Sequence, residues 1–292
     1  MKNTMQINYW TIGGFGGGKP VREALREAKD MGFEGVELCF EAGAFGPHTT
    51  EVECKAYRKE ADRLKMKIES LATGYYWHSP LSSPNAATRK KAIDFTKRYL
   101  QAAKWVGAKS VLVIPGAVAV PWNPKAPVTP YAEVWKFATQ SVKACVSTAE
   151  KLGVSMGMEN VWNWFLADPV AMRTFVDQFK SKRVGVYFDI ANCLLNGFPE
   201  HWIEILGRRL VAVHFKNFER SDCAGGLHGF GDDLLKGAVD FGKVTAALKK
   251  AKYAGPITAE MIPFSRLPNL VLPDMKLAAD TAKKLKKILG NR

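Results

Sequence analysis

Four short apolar segments in the second half of the chain each lead into a residue that can bind a metal ion. The segments 154–158, 184–188, 210–213 and 257–259 are followed by Glu159, Asp189, His214 and Glu260. Most of their residues are apolar and several are Val, Ile, Phe or Met, as is typical of strands covered on both faces in a parallel sheet. Helix-length amphipathic stretches separate them, so the repeating unit is a strand followed by a helix.

In a barrel built from such units, the carboxyl ends of the strands meet at one face, which is where active sites lie. We therefore expect the four side chains to converge there. Three carboxylates and one imidazole favour a divalent cation such as Mn²⁺, Mg²⁺ or Co²⁺ over a structural zinc ion held by thiolates. A single acidic residue at a strand end is usually a helix cap or a solvated carboxylate, but four in register indicate a metal site.

The rest of the chain continues the same alternation. The predicted strands are 5–12, 35–40, 67–72, 109–114, 154–158, 184–188, 210–213 and 257–262. The predicted helices are 21–31, 51–64, 87–106, 131–152, a fifth that begins at Pro169 after the N-cap Asp168, 200–206, 241–252 and 275–289. No linker or change of composition interrupts them. Residues 1–292 are therefore expected to form one α/β domain, a single (β/α)8 TIM barrel.

The composition fits such a domain and restricts its partners. A chain of 292 residues is long enough for one barrel, which typically needs about 250. The net charge of +14 arises largely from lysines on the solvent faces of predicted helices. A basic surface favours anionic small molecules, but no basic stretch alternates with exposed aromatic residues as in a groove for single-stranded nucleic acid. We expect a small-molecule substrate and no nucleic acid.

Cysteine usage and hydropathy predict the compartment. The five cysteines are odd in number and include no CxxC pair, which favours reduced thiols. The N-terminus has no signal-peptide pattern, and no apolar run approaches the ~18 residues of a membrane span. We expect a cytoplasmic protein that does not contact the membrane.

Three loops are candidate walls of the site. The segment Gly13 to Gly18 matches neither a dinucleotide-binding nor a Walker pattern, so it is predicted to be a loop beside the barrel mouth. Residues 75–78, which include His78, form an aromatic cluster that either lines a pocket or packs under a loop. Residues 115–130 are proline-rich and long enough for a lid. The candidates for a homodimer contact, predicted to be exposed, are Trp122, Trp202 and the segment 219–239.

Two charged residues besides the four candidate ligands can be placed relative to the predicted strands: Glu37 inside the second and Lys216 just beyond the seventh. Glu37 is in the second strand, so it either faces the lumen with a partner or supports the site from behind. Lys216 lies two residues after His214 and leaves the strand on the same face. It is predicted to contact a substrate oxygen or phosphate, or else to pair with a carboxylate such as Glu37.

Six segments carry a resemblance to a known family. GMENVWNWFLADP, VGVYFDIAN, VAVHFKNF and YAGPITAEM surround the candidate ligands, and GFEGVEL and SSPNAATRKKAI lie earlier in the chain. Together they resemble the sugar phosphate isomerase/epimerase family of xylose isomerase-like barrels. The resemblance extends over most of the chain and favours the branch with L-xylulose-5-phosphate and L-ribulose-5-phosphate 3-epimerases and hexulose-6-phosphate isomerases.

The resemblance implies one divalent cation on the four predicted ligands, with Mn²⁺ expected first and Mg²⁺, Co²⁺ or Zn²⁺ as alternatives. It also implies that Glu159 and Glu260 transfer protons on opposite faces of the substrate. Free-ketose 3-epimerases carry a histidine where Asn192 stands, whereas the phosphorylated-ketose branch carries asparagine, which favours a phosphorylated substrate. The candidate substrate-binding residues are Lys216, Asn192, His78, Trp162, Arg220 and Glu37.

The expected activity is epimerisation or isomerisation of a ketose or ketose phosphate. A cation chelated by the carbonyl and an adjacent hydroxyl stabilises the enediolate that forms when a glutamate removes the neighbouring proton. Return of a proton to the same or to the adjacent carbon separates the two reactions.

Three alternatives use the same barrel: a lyase of the inosose or dehydroshikimate dehydratase type, an endonuclease IV-like DNA-repair nuclease, and a non-catalytic barrel. The nuclease needs three zinc ions and many histidines, whereas this chain has five histidines and only His214 ends a predicted strand. A non-catalytic barrel would be expected to have lost at least one of the four ligands.

Overall fold

The computed structural model describes residues 3–123, 125–220, 227–228 and 231–290, and its centre is a closed barrel of eight strands. The first seven strands are β1 (Met5–Asn8), β2 (Gly35–Cys39), β3 (Ser70–Ala72), β4 (Ser110–Val113), β5 (Ser155–Glu159), β6 (Val184–Asp189) and β7 (Leu210–Phe215). A short antiparallel pair, β8 (Glu219–Arg220) and β9 (Leu227–His228), precedes the last barrel strand, β10 (Ile257–Ala259). The parallel ladder closes between β1 and β10, where Met5 lies opposite Ile257. The predicted (β/α)8 TIM barrel is confirmed.

Helices follow the barrel strands along the chain. They are α1 (Tyr9–Gly13), α2 (Val21–Asp30), α3 (Glu51–Arg63), α4 (Ala86–Val106), α5 (Tyr131–Leu152), α6 (Pro169–Asp177), α7 (Pro199–Leu206), α8 (Phe241–Lys250) and α9 (Met275–Ile288). The predicted cap of α6 is confirmed, because Asp168 accepts hydrogen bonds from the N–H groups of Val170 and Ala171. Such caps satisfy backbone donors that have no partner inside the helix.

The first and last predicted strands are too long. Asn8 accepts a hydrogen bond from the N–H of Trp10 at 2.8 Å and thereby starts α1, so β1 ends four residues before the predicted Ile12. The last strand ends at Ala259 rather than at residue 262. Both errors have the same origin, because apolar residues that continue beyond a strand end look like more strand in the sequence.

Polar side chains fill part of the barrel lumen beneath the strand ends. Gln6 and Asn8 lie two residues apart on β1 and therefore point to the same face. The Gln6 amide donates to the hydroxyls of Ser70 at 2.9 Å and Thr258 at 3.0 Å. The Asn8 amide donates to Glu37 at 2.7 Å. These buried contacts connect β1 with β2, β3 and β10 and hold the strands that carry the site.

The predicted loop before the second helix and the predicted exposure of Trp122 are confirmed, whereas the predicted exposure of Trp202 is not. Residues 14–18 form a loop in which Gly16 and Gly17 have φ values of 81° and 72°, a region that favours glycine. Trp122 is exposed, and its ring centroid lies 4.3 Å from that of Trp77. The expected exposure of Trp202 is wrong, because its ring is buried in a stack on Phe188.

The predictions about the cysteines and about membrane spans can be compared with the described residues. Cys39, Cys54, Cys145 and Cys193 are free thiols, whereas Cys223 lies outside the described residues. Parts of the segment 219–239 also lie outside them. None of the helices in the described ranges is long and apolar enough to cross a membrane. The homodimer and the cytoplasmic location stay predictions.

Candidate metal and catalytic site

Three of the four predicted ligands come together at the carboxyl ends of neighbouring strands. Glu159 is the last residue of β5, Asp189 is the last residue of β6, and His214 lies one residue before the end of β7. All three are buried, and one ligand atom from each lies within 4.8 Å of the others. The β6 and β7 register places Asp189 opposite His214. We call these three residues the metal group.

The imidazole of His214 is held with one nitrogen turned toward the carboxylates. Its Nε2 lies 2.7 Å from a carboxylate oxygen of Glu37, which can only accept, so Nε2 carries a hydrogen. Its Nδ1 is buried, 3.7 Å from Glu260 and 3.9 Å from Asp189, and accepts or donates no hydrogen bond within the described part of the chain. This arrangement suits a metal ligand, in which one ring nitrogen donates to a carboxylate and the other binds the ion.

The charge of His214 links cation binding to proton release. Burial lowers the pKa of His214, but the carboxylates of Glu37 and Glu260 outweigh burial and raise it to about 10. A ligating imidazole must be neutral, so a cation that binds Nδ1 displaces a proton from it.

Glu37 lies in the barrel lumen and contacts the metal group through His214. Its predicted role in substrate binding stays a prediction. Glu37 is fully buried and accepts hydrogen bonds from Asn8 and, at 2.6 Å, from the hydroxyl of Ser70. Its remaining contact is the bond to His214 described above. Glu37 therefore sets the orientation of the imidazole from the opposite side of the lumen.

Glu37→Gln is expected to weaken Mn²⁺ binding by about 10- to 100-fold, the usual effect of losing a group that orients a metal ligand. The neutral amide still fits the space, but it no longer stabilises the imidazole through a charged hydrogen bond. Isothermal titration of the metal-free protein with Mn²⁺ measures the change. Glu69→Gln is the matched control. Glu69 pairs with Lys109 just before β3 begins, at the amino end of the strand, whereas the metal group lies at the carboxyl ends of its strands. Equal affinities of wild type and Glu37→Gln would contradict the role assigned to Glu37.

The ammonium of Lys216 lies between two carboxylates of the site. Its Nζ is 2.7 Å from Asp189 Oδ2 and 2.7 Å from Glu260 Oε2. Burial lowers the pKa of Lys216, but these two carboxylates raise it well above its usual value, so the group is charged. The predicted pairing with a carboxylate is confirmed, but the partners are Asp189 and Glu260 rather than Glu37, which contacts His214. A phosphate contact of Lys216 stays a prediction.

The two candidate proton-transfer glutamates differ in acidity. Burial, followed by the charge of Glu260, raises the pKa of Glu159 to about 8. Burial also acts to raise the pKa of Glu260, but Lys216 and His214 outweigh it and lower that pKa. Two carboxyl groups with pKa values pushed apart are the usual arrangement of an acid and a base in one site.

The residues present fit a divalent cation. Four buried carboxylates, those of Glu37, Glu159, Asp189 and Glu260, stand against one ammonium and one imidazole. Buried negative charge in excess requires protons or a cation. The free Nδ1 of His214 and the carboxylates of the metal group supply nitrogen and oxygen ligands suited to such an ion. Glu260 is not one of those three residues, so its role as fourth ligand stays a prediction.

Of the remaining candidate substrate-binding residues, Asn192 contacts the metal group directly, and Trp162 contacts Asn192. Asn192 donates from its backbone N–H to Asp189 at 2.8 Å, and its backbone carbonyl accepts from the indole of Trp162 at 3.1 Å. The Trp162 ring centroid is 5.9 Å from Lys216 Nζ. Arg220 donates to the carbonyl of Leu194 at 3.0 Å and so supports the segment after β6.

His78 is exposed at the end of a 3₁₀ turn formed by Tyr75–Trp77. Its role in substrate binding, like those of Arg220, Trp162 and Asn192, stays a prediction.

Sequence reasoning missed Asn160. Its side-chain amide donates to the carbonyl of Asp189 and accepts from the N–H of Asp189, both at 2.9 Å. This pair of bonds fixes the end of β6 against β5. The available signal was position, because Asn160 directly follows the ligand Glu159 and its amide can both donate and accept.

The chain also matches a family model described as xylose isomerase-like TIM barrel over residues 25–288. The chain belongs to this family. Among curated proteins, this family member is 26% identical over 197 residues to the uncharacterised protein MJ1311 of Methanocaldococcus jannaschii. The match covers 63% of this chain and 62% of that relative's length.

Three solved structures illustrate the shared fold of this xylose isomerase-like barrel. An L-ribulose 3-epimerase is 15% identical with a TM-score of 0.79, covering 99% of this chain and 95% of that one. D-psicose 3-epimerase from Clostridium cellulolyticum H10 is 16% identical with a TM-score of 0.76, covering 98% and 99%. The 3-keto-D-glucoside 4-epimerase YcjR of E. coli is 15% identical with a TM-score of 0.74, covering 98% and 99%. At identities this low, the structural similarity establishes a common fold and does not establish a common activity.

Proposed function

We propose that this xylose isomerase-like barrel is a divalent-metal-dependent epimerase or isomerase of a keto sugar. The observation that carries the proposal is the buried metal group with Glu260 only 3.7 Å from the Nδ1 of His214. Within this site the pKa values of Glu159 and Glu260 are shifted in opposite directions. The structures of similar fold described above are sugar epimerases by name, which supports the same substrate class. The substrate in this proposal is a ketose, free or phosphorylated.

Glu159, Asp189 and His214 would hold the cation, with Glu260 as the fourth ligand and Mn²⁺ as the first choice of metal. When bound, a divalent cation polarises a carbonyl group and stabilises the negative charge that develops on its oxygen, a contribution of several kcal/mol. The burial of the metal group keeps this charge away from bulk water, where it would be screened more strongly.

The two glutamates divide the proton transfer between them. Glu260, which Lys216 keeps ionised, removes the proton from the carbon next to the carbonyl, and the C–H electron pair moves into an enediolate. Glu159 returns a proton from the other face of the substrate. For a 2-ketose, a proton taken from C3 and returned to C3 gives an epimer, whereas a proton taken from C1 and returned to C2 gives an aldose. In the reverse direction the two residues exchange roles.

Proton exchange with solvent tests this function directly. Candidate ketoses and ketose phosphates are incubated with Mn²⁺-loaded protein in D₂O and analysed by NMR. One deuterium incorporated at the carbon next to the carbonyl, together with an epimer or aldose, is the expected result. A product with an enone or aromatic chromophore would instead indicate a lyase, and the absence of exchange with every sugar would overturn the proposal.

Lys216→Met is expected to lower kcat by about 10- to 100-fold for free and phosphorylated ketoses alike, as is usual when a group supporting the ligands is lost. The ammonium lowers the pKa of Glu260, so its loss raises that pKa. We therefore expect the ascending limb of the pH profile of kcat to move to higher pH, because Glu260 loses its proton only at higher pH in the variant. Steady-state kinetics across pH measure both effects. A rise in KM confined to phosphorylated substrates, with kcat unchanged, would instead show that Lys216 binds phosphate.

A further inference from the structure

We propose that a pocket beside the metal group binds a neutral six-membered ring, so that the substrate is a keto sugar joined to a second ring. The inference rests on the proposed function, because it names the substrate class of the same site. The pocket has a volume of about 210 Å³ and lies between the segments that follow β5 and β6. Its wall includes Trp162, Trp164, Trp202, Leu166 and Leu195. We call it the tryptophan pocket.

The lining of the tryptophan pocket favours a neutral ring over a phosphate. No lysine or arginine is among the described residues that line it. A phosphate would therefore be desolvated there without a cation to pair with, which is costly. The buried ammonium of Lys216, which lies 5.9 Å from the Trp162 ring centroid, is already shared by Asp189 and Glu260. An apolar cavity of about 150 Å³ can hold benzene, so a space of about 210 Å³ suits one six-membered ring.

The side chain of Asn192 offers a buried acceptor to the pocket. Asn192 is 5% exposed and lines the pocket. Its amide nitrogen donates to the carbonyl of Asn160 at 2.9 Å, and its Oδ1 is buried with no hydrogen-bond partner among the residues that the structure describes. An unpaired buried acceptor is costly, and a hydroxyl on the bound ring would satisfy it. The ring that fits this pocket therefore has an apolar face and a hydroxyl group. A second sugar and a phenolic aglycone both have these features.

The tryptophan pocket is adjacent to the reacting groups. Asn192 contacts Asp189 through its backbone N–H, and the Trp162 ring lies 5.9 Å from Lys216 Nζ. Asn160 and Asn192, which line the pocket, both contact Asp189 of the metal group. Trp164 and Leu166 have φ values of 56° and 54°. Such backbone strain in residues other than glycine is concentrated at functional sites.

Binding measurements with neutral glucosides test this inference without requiring turnover. Methyl β-D-glucopyranoside, 4-hydroxyphenyl β-D-glucopyranoside, methyl β-cellobioside and D-glucose 6-phosphate are titrated into Mn²⁺-loaded protein by calorimetry. The hydroxyphenyl glucoside and the cellobioside carry a second ring, and we call them the ring-bearing probes. We expect one of them to bind at least about tenfold more tightly than the methyl glucoside, because burial and stacking of the second ring contribute about this factor. A preference for the cellobioside would identify a second sugar, and a preference for the hydroxyphenyl glucoside a phenolic aglycone.

Substitutions at Trp164 localise the effect. Trp164 is 54% exposed, so Trp164→Ala should fold, and it is expected to remove the tenfold gain. Trp164→Phe retains a flat ring and should keep most of the gain. Val52→Ala, at an exposed position on α3, is the distant control. Equal affinities for all the neutral probes, a gain that survives Trp164→Ala, or tightest binding of the phosphate would each overturn the proposal.

The two proposals fail in different ways. If proton exchange occurs with free ketoses while the ring-bearing probes gain nothing, the proposed function stands and the tryptophan pocket is not a ring subsite. If the ring-bearing probes bind in a Trp164-dependent manner but no sugar exchanges a proton, the pocket is assigned and the proposed reaction is wrong.

Discussion

Replacement of His214 by alanine, or of Asp189 by alanine or asparagine, is expected to lower the affinity for Mn²⁺ by at least about 100-fold and to abolish turnover. Loss of a direct ligand should exceed the 10- to 100-fold cost of losing a group that only supports one. Asp189→Asn isolates the effect of charge. In wild type one oxygen of Asp189 accepts from the N–H groups of Ala191 and Asn192, and the asparagine oxygen can keep both bonds.

Calorimetric titration with Mn²⁺ and metal analysis of the purified variants measure this loss. Far-UV circular dichroism and the Tm of the metal-free proteins show whether the barrel is intact. The matched control is Asp177→Asn, because Asp177 is a surface carboxylate paired with Arg209. Normal turnover by wild-type protein stripped of metal with a chelator would contradict the metal dependence.

Glu159→Gln and Glu260→Gln are each expected to reduce kcat by about 10²- to 10⁴-fold, the range for loss of one positioned acid or base. Glutamine has nearly the same shape but can neither accept nor release a proton at working pH. If Glu260 removes the proton, Glu159→Gln should still exchange substrate hydrogen with solvent from one face while forming little product. Deuterium incorporation and product formation are followed in the same samples by NMR.

Metal affinity separates this effect from loss of the cation, because both glutamates are also proposed ligands. The measurements are therefore made at saturating Mn²⁺ after titration of each variant. Glu69→Gln again serves as the control glutamate, and it should leave kcat unchanged. Wild-type turnover in both Glu159→Gln and Glu260→Gln would refute the assignment of the acid and base.

The architecture and the convergence of Glu159, Asp189 and His214 could be predicted from sequence because both depend on local patterns. Short apolar segments alternating with amphipathic ones predict a parallel barrel, and a barrel brings all strand ends to one face. The ends of β1 and β10 could not be predicted from the apolar pattern alone. At β1, a single hydrogen bond from Trp10 to Asn8 decides where the strand stops.

The partners of the lumen residues could not be predicted, because they depend on distances between residues that are remote in the chain. His214 and Glu37 are 177 residues apart, and Lys216 and Glu260 are 44 apart. The alternation within β7 places Lys216 on the face of His214, but two carboxylates on other strands decide what the ammonium contacts. Burial of Trp202 also depends on the packing of α7 against β6, through its stack on Phe188.

The bond between Glu37 and His214 has a consequence for folding kinetics. Glu37 belongs to β2 and His214 to β7, and in the barrel β10 and β1 lie between these two strands. The ligands of the metal group all follow residue 150 in the chain, but the carboxylate that orients the imidazole comes from its first fifth. The tightest metal affinity therefore arises only after the ring of strands has closed, and in a stopped-flow refolding experiment it should lag behind the formation of helices.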